Sequence, residues 1–280
     1  MSATHYENFP VASFALPRHL RPAVLALYRF ARYADDLADE GDASPDERLV
    51  ALDALARDLD RVLGGAQSGD RMLRDLATTV ARHRLTPQLL FDLLSAFRQD
   101  VSTLRYPAYV DLLDYCRRSA NPIGRLLLEI YGEATPVNLE RADAICTALQ
   151  LTNFWQDIAI DWAKDRVYLP QEDLARFGVS EAHIAEKRCD SAWYRLLEFQ
   201  TGRARALLES GRPLTRALPW RFGLELSGVL AGGHRILDAI DASRGDVFRK
   251  RPQLGRRDWL IVAAQAVLPA RRHLSTGVTP

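Results

Sequence analysis

Lysine is nearly missing from this chain of 280 residues. Lys164, Lys187 and Lys250 are the only three, and arginine makes up the rest of the 37 basic residues. Acidic residues number 36, so the net charge is +1 and the basic excess of a nucleic-acid-binding surface is absent. Cysteine is also rare. Cys116, Cys146 and Cys189 are odd in number and widely spaced, which fits reduced thiols and neither a disulfide framework nor a zinc knuckle. No apolar run reaches the ~20 residues that span a bilayer. The start, Met1-Ser2-Ala3-Thr4-His5, lacks the basic and apolar segments of a secretory leader. A cytoplasmic protein is expected. Repeats, Gly/Ser linkers and strand-like alternation are missing as well, and no dinucleotide glycine fingerprint follows a strand.

What the chain does carry is helical periodicity, with 48% hydrophobic residues to fill a core. Helices are predicted from Pro22 to the acids before Gly41, from Ser44 to Leu63, from Met72 to His83 and from Thr86-Pro87 onward. Ser44-Pro45-Asp46-Glu47 joins an N-cap, an opening proline and a capping glutamate. Tyr106-Pro107 begins a helical stretch to Tyr131-Gly132, interrupted at Asn121-Pro122. Further helices are predicted at Leu139–Trp162, Ser180–Lys187, Ser191–Ser210 and Pro219–Ala242, and after Arg256-Arg257-Asp258-Trp259, with a loop from Asp165 to Pro170. The expectation is one all-α domain, residues 1–280, of eight to eleven helices.

Two of these helices carry repelling charge. Asn153, Asp157 and Asp161 recur at four-residue steps, which stacks an amide and two carboxylates on one stripe, among Leu149, Leu151, Phe154, Ile158 and Ile160. Upstream, Asp35 and Asp39 repeat the spacing, as do Asp36 and Glu40. Carboxylates at such spacing need a cation or a proton. The bland reading of the upstream acids is a charged helix C-terminus, where they oppose the macrodipole. All-oxygen donors favour Mg²⁺, which takes one or two carboxylates and completes its shell with substrate phosphates. Two such stripes suit a diphosphate held between them. Arg32 and Arg166 stand near enough in sequence to reach it, and Tyr28 and Tyr168 to add hydroxyls; each tyrosine is equally an interface aromatic.

The run Tyr28-x-x-x-Arg32-x-x-Asp35-Asp36-x-x-Asp39, then Gln150-x-x-Asn153-x-x-x-Asp157-x-x-x-Asp161 and Arg166-x-Tyr168-Leu169-Pro170, resembles the squalene/phytoene synthase family. That resemblance implies a class I isoprenoid-synthase fold, a helical bundle around a central cavity. It implies an Mg²⁺–diphosphate cluster on Asp35, Asp36, Asp39, Asn153, Asp157 and Asp161. It also implies catalytic work for the four aspartates at 35, 39, 157 and 161 and for Tyr168, and substrate contacts from Tyr28, Arg32, Gln150, Gln156 and Arg166. Within the family, His5-Tyr6-Glu7-Asn8-Phe9-Pro10, Gly232-Gly233-x-Arg235-Ile236-Leu237 and Arg251-Pro252-Gln253-Leu254 look most like hydroxysqualene synthases of bacterial hopanoid pathways. Such an enzyme takes presqualene diphosphate and water to hydroxysqualene and diphosphate, between sister enzymes that supply the substrate and reduce the alcohol.

Three departures bear on the substrate. Tyr6 stands where many relatives have serine, Gln156 where they have arginine, and Gly233 where they have tyrosine. Losing a cation and two hydroxyls fits a substrate with one diphosphate rather than two. Phe9, Phe14, Phe30, Leu127 and Phe154 are candidates for an apolar pocket or for ordinary core. Ala120 and Gly124 either pass a prenyl chain between helices or permit close helix contact. Asn8, Tyr6, Glu7 and Gln156 are candidates to position the captured water, and Asp100 is either an acid near the diphosphate or a surface charge. Because substrate and product are apolar, transient membrane contact is expected around Trp220-Arg221-Phe222. The competing expectations are condensation of two prenyl diphosphates and, in another class, a non-catalytic helical scaffold.

Overall fold

The computed structural model describes residues 17–255. Twelve helices run through them: α1 (Arg21–Asp39), α2 (Pro45–Leu63), α3 (Arg71–His83), α4 (Gln88–Ser102), α5 (Tyr109–Ser119), α6 (Asn121–Tyr131), α7 (Pro136–Ala163), α8 (Gln171–Phe177), α9 (Glu181–Ala185), α10 (Ser191–Gly211), α11 (Leu214–Ala217) and α12 (Trp220–Ala242). The described residues contain no strand, only an isolated bridge between Arg105 and Val167. The count exceeds the expected eight to eleven because α8 and α11 are too short to show a period. Pro170 precedes α8 and was the end of the predicted loop, yet Glu172 and Asp173 in the first turn and Gly178 after the last suit a short helix. The first Tyr-Pro start is also late: α5 opens only at Tyr109, where Asp111 caps the Ala108 amide. The tail helix expected after Arg256 lies outside the described residues.

Local signals explain most of the boundaries. The Ser44 hydroxyl accepts from the Glu47 amide while Glu47 accepts from the Ser44 amide, closing a capping box on α2. The Asp190 carboxylate takes the Ala192 and Trp193 amides at 3.0 Å and starts α10. Proline at Pro122 sits in the first turn of α6, where a missing amide costs nothing, so the expected interruption is a clean break between two helices.

The apolar faces form two clusters. One gathers Leu20 and, from α1, Val24, Leu27 and Phe30 with leucines of α2, α3 and α4. The other surrounds α7, with Leu151, Phe154, Trp155 and Ile158 packed against α10, α12 and the 167–169 segment. Helix α6 serves both, turning Leu126 and Ile130 to the first and Leu128 to the second. Phe30 is fully enclosed in the first cluster and so is core. A Cβ at Gly124 would lie 2.6 Å from the Cys146 sulfur, so Gly124 serves close contact of α6 with α7. No helix among the described residues is long and apolar enough to cross a membrane.

Candidate active site

The two acidic stripes come from different clusters and meet. Asp39 ends α1; Lys164 and Arg166 follow α7. The Lys164 ammonium donates to one Asp39 oxygen, and the Arg166 guanidinium lies 3.1 Å from the other. Burial alone would raise the Asp39 pKa, but the Lys164 hydrogen bond and the Arg166 and Lys164 charges outweigh it and hold the carboxyl below its ordinary value. On α1, the Arg32 guanidinium pairs with Asp35 at 2.9 Å and Asp36 at 2.5 Å, which neutralises the acids at the wrong end of the dipole. Arg48 of α2 adds a device with no local sequence signal: it donates to the Glu40 and Gly41 carbonyls at 2.9 and 2.8 Å, capping that helix end.

The α7 stripe is compensated differently. Arg251 grips Asp157 with two hydrogen bonds, Nε to Oδ1 and Nη2 to Oδ2 at 3.0 Å. One turn on, Asp161 has its pKa raised to about 8, first by burial and then by the neighbouring Asp157 charge. Asn153 and Gln150 are half-buried on the same helix. The apolar surround is incomplete, since Ile160 is 48% exposed.

Arg166 and Tyr168 are fixed by their loop. The Val167 amide donates to the Leu104 carbonyl and the Gln171 amide to the Tyr106 carbonyl, both at 2.9 Å. Tyr168 is buried and stacks on Phe154 with ring centroids 3.7 Å apart. Its hydroxyl points to Asp100 at 3.4 Å, and Tyr115 donates to the other Asp100 oxygen at 2.8 Å. Asp100 is therefore no surface charge: burial lifts its pKa to about 7 against the opposing Tyr115 hydrogen bond and Arg166 charge. Sequence reasoning missed Tyr115, Tyr106, Lys164 and Arg251 as members of this neighbourhood. A small cavity bordered by Phe154, Ile158, Asp161, Arg166 and Tyr168 connects the acid stripe to the aromatic group.

Gln156 is fully buried, and its amide donates to the Pro252 carbonyl. The guanidinium expected by relatives at that position is not simply lost, because Arg251 brings one to Asp157 from the segment that binds Gln156. Gly233 likewise has a packing cause: a Cβ there would stand 3.1 Å from Leu149 Cδ2 and 3.3 Å from Leu208 Cδ1. Tyr28 is half-buried on α1. Asn8, Phe9, Tyr6, Glu7 and Phe14 lie outside the described residues. Among the described residues no three His, Cys, Asp or Glu side chains converge on one point.

Residues 2–258 match the squalene/phytoene synthase family. The chain belongs to that family. It is 38% identical to the hydroxysqualene synthase of Rhodopseudomonas palustris over 93% of this chain and 88% of that one. It is 35% identical to the hydroxysqualene synthase of Sinorhizobium fredii over 98% and 94%. The 15-cis-phytoene synthase of Synechococcus elongatus is 32% identical over 90% and 85%. Among solved structures, squalene synthase HpnC from Alicyclobacillus acidocaldarius matches with a TM-score of 0.80 and 39% identity, covering 86% of this chain and 90% of that one. The all-α isoprenoid-synthase fold and an enzymatic role on prenyl diphosphates of the squalene type follow from these likenesses.

Proposed function

We propose that this enzyme converts presqualene diphosphate and water into hydroxysqualene and diphosphate. The reading is carried by one observation: Asp39, Lys164 and Arg166 draw the α1 and α7 acids together at one end of the apolar helices. Likeness to two proteins named hydroxysqualene synthase supports the specific reaction. The donor set fits Mg²⁺. Its members are all oxygen, and each carboxylate is matched by an arginine, a lysine or a retained proton, as acids built to face a cation must be when only protein surrounds them. Asp35, Asp39, Asn153, Asp157 and Asp161 would hold the ions, which supply Lewis-acid neutralisation of the departing diphosphate.

The chain's own groups then have defined tasks. Arg32 and Arg166 turn from carboxylates to diphosphate oxygens with charge-assisted hydrogen bonds. The substrate C–O bond breaks with its electron pair leaving on diphosphate, and a water oxygen bonds the resulting carbocation and gives up a proton. Phe154 and Tyr168 present stacked faces beside the acids and exclude bulk water until capture. A second reading, condensation of two prenyl diphosphates, is favoured by Arg251, which keeps a cation at the second stripe despite Gln156. Incubating the protein with presqualene diphosphate or with farnesyl diphosphate alone, with Mg²⁺ or chelator, separates the two. Mass spectrometry should find the alcohol from the first substrate only. Efficient turnover of farnesyl diphosphate would favour the second reading, and no Mg²⁺-dependent diphosphate release from either would remove both.

A further inference from the structure

Helix α7 carries Asp157 and Asp161 and then hands the chain to Arg166 and Tyr168, so the way it ends decides where those side chains point. It ends in a left-handed turn. The Arg166 amide donates back to the Asp161 carbonyl at 2.8 Å, and the Asp165 amide to the Trp162 carbonyl at 3.0 Å. These are the paired bonds of a Schellman motif, with Asp165 at the left-handed position, φ 57°. Glycine is the usual residue there, because a side chain crowds left-handed backbone. An aspartate in that place needs support from outside the turn.

Arg105, 60 residues upstream between α4 and α5, supplies it. Its Nη1 donates to the Asp165 carbonyl and, at 3.0 Å, to the Leu104 carbonyl, while Nη2 donates to the Asp165 carboxylate at 2.8 Å. Nε and Nη2 also reach the two carboxylate oxygens of Glu181, the first residue of α9, at 2.6 and 3.0 Å. The guanidinium lies 5.9 Å from the Trp162 ring centroid. One planar fork thus holds the turn by carbonyl and carboxylate together and is itself fixed by α9. The backbone beside it is tied too, since the Val167 amide donates to the Leu104 carbonyl at 2.9 Å. The hydrogen bonds of the Arg105 side chain go to Leu104, Asp165 and Glu181, and none goes to an acid of either stripe or to Arg166.

We propose that Arg105 is a positioning residue for the diphosphate end of the site: by clamping Asp165 in left-handed backbone it aims Arg166 at the oxygens the substrate presents. The Arg166 guanidinium sits between Asp39 and the Asp100 carbonyl, 3.1 Å from each, and a rotation at the preceding residue would carry it off both. Asp165 is 73% exposed, and an ion pair so wet contributes little by charge alone. Placement is the larger effect, because a shift of about 1 Å in a binding group can cost about 10²-fold. The proposal rests on the prenyl diphosphate reading for what Arg166 meets, and not for the clamp.

Residue-resolved hydrogen exchange tests the clamp with no ligand present. In Arg105→Ala the Arg166 and Val167 amides should exchange about tenfold faster or more, with α10 unchanged. Arg105→Lys keeps a cation against Glu181 but loses the fork, so it should show the same two fast amides even if Arg105→Ala fails to fold. Adding Asp165→Gly to either variant should slow them again, because glycine holds left-handed backbone unaided. Calorimetry of inorganic diphosphate binding in Mg²⁺ should follow the same order: about tenfold weaker or more in the Arg105 variants, largely restored by Asp165→Gly, and unchanged in Glu181→Ala. Wild-type exchange at Arg166 and Val167 in Arg105→Lys would overturn the proposal, as would fast amides combined with wild-type diphosphate affinity. So would Glu181→Ala matching the Arg105 variants, because Arg105 would then merely secure α9. If the wild-type protein binds no diphosphate while the exchange pattern holds, the clamp stands and the prenyl diphosphate reading is what fails.

Discussion

Asp35 and Asp36 on α1 keep 45% and 43% of their side chains exposed, and both pair with Arg32. On α7, Asp157 is 22% exposed and gripped by Arg251, and Asp161 beyond it holds its proton up to about pH 8. The spacing is the same and the electrostatics are not. At the end of α1, water and local arginines screen the acids. Inside the α7 neighbourhood, burial and a like charge make the second ionisation expensive unless a cation from elsewhere arrives. Repeating carboxylates thus state a need for positive charge, and the surroundings decide whether protein, proton or metal meets it.

The largest effect is expected where this contrast is broken at its deeper member. Asp157→Asn should reduce Mg²⁺-dependent diphosphate release about 10²–10³-fold, as loss of one preorganised electrostatic group does. Glu40→Gln, half-exposed at the far edge of the α1 acids, should change it far less. Equal losses in a steady-state release assay would show that both stripes depend on total charge rather than on position.

Arg251 offers the next test. Arg251→Ala leaves Asp157 beside Asp161 without its paired guanidinium, and should destabilise the metal-free protein by about 1–3 kcal/mol. Saturating Mg²⁺ and diphosphate should recover part of that loss, since they supply the missing charge. Denaturant melts with and without the ligands decide it; an unchanged midpoint in chelator would mean the pair contributes nothing net.

The contrast also marks where sequence stops informing. The periodicity, the Ser44 capping box and the two aspartate stripes are local patterns, so the long helices and the acids were legible from neighbours in the chain. Arg251 is 94 residues from Asp157 and Asp100 is 66 from Arg166. Nothing within a few positions of either predicts those contacts, because they are set by how α12 turns back and how the 166–168 loop lies on the 104–106 segment. Gln156 shows the same limit in reverse. Its neutrality was visible, but its hydrogen bond to the Pro252 carbonyl, and the guanidinium delivered beside it, depend on the fold.

A third prediction concerns pH. Asp161 and Asp100 have folded-state pKa values raised from 3.8 to about 8 and about 7. Between about 4 and 8 the native state therefore binds more protons than the unfolded chain, and stability falls as pH rises through that window. Asp39 has the opposite sign: its lowered pKa contributes stability above the ordinary carboxylate range that is lost as pH falls below it. In chelator, stability should decline from pH 5 to pH 8, with each of the two carboxyls contributing at most about 1.4 kcal/mol per pH unit. Asp161→Asn and Asp100→Asn should each flatten part of it. Mg²⁺ binding at pH 6.5 should release a proton from Asp161, seen as a dependence of the binding heat on buffer ionisation enthalpy. A flat profile would mean that neither Asp161 nor Asp100 holds its proton in the folded state.

The smallest effect is expected at the junction of the stripes. Lys164 is 46% exposed and Arg166 only 14%, although both face Asp39. An exposed ammonium gains little from such a pair, because water screens the charge and the long side chain loses rotamer freedom. Lys164→Ala should therefore cost below about 1 kcal/mol, whereas Arg166→Ala removes both the Asp39 partner and the hydrogen bond to the Asp100 carbonyl. Melting temperatures of the two variants and their double mutant give the coupling. If Lys164→Ala proved the costlier change, the approach of α1 to α7 would depend on its exposed cation, and burial would no longer explain how the two acidic regions differ.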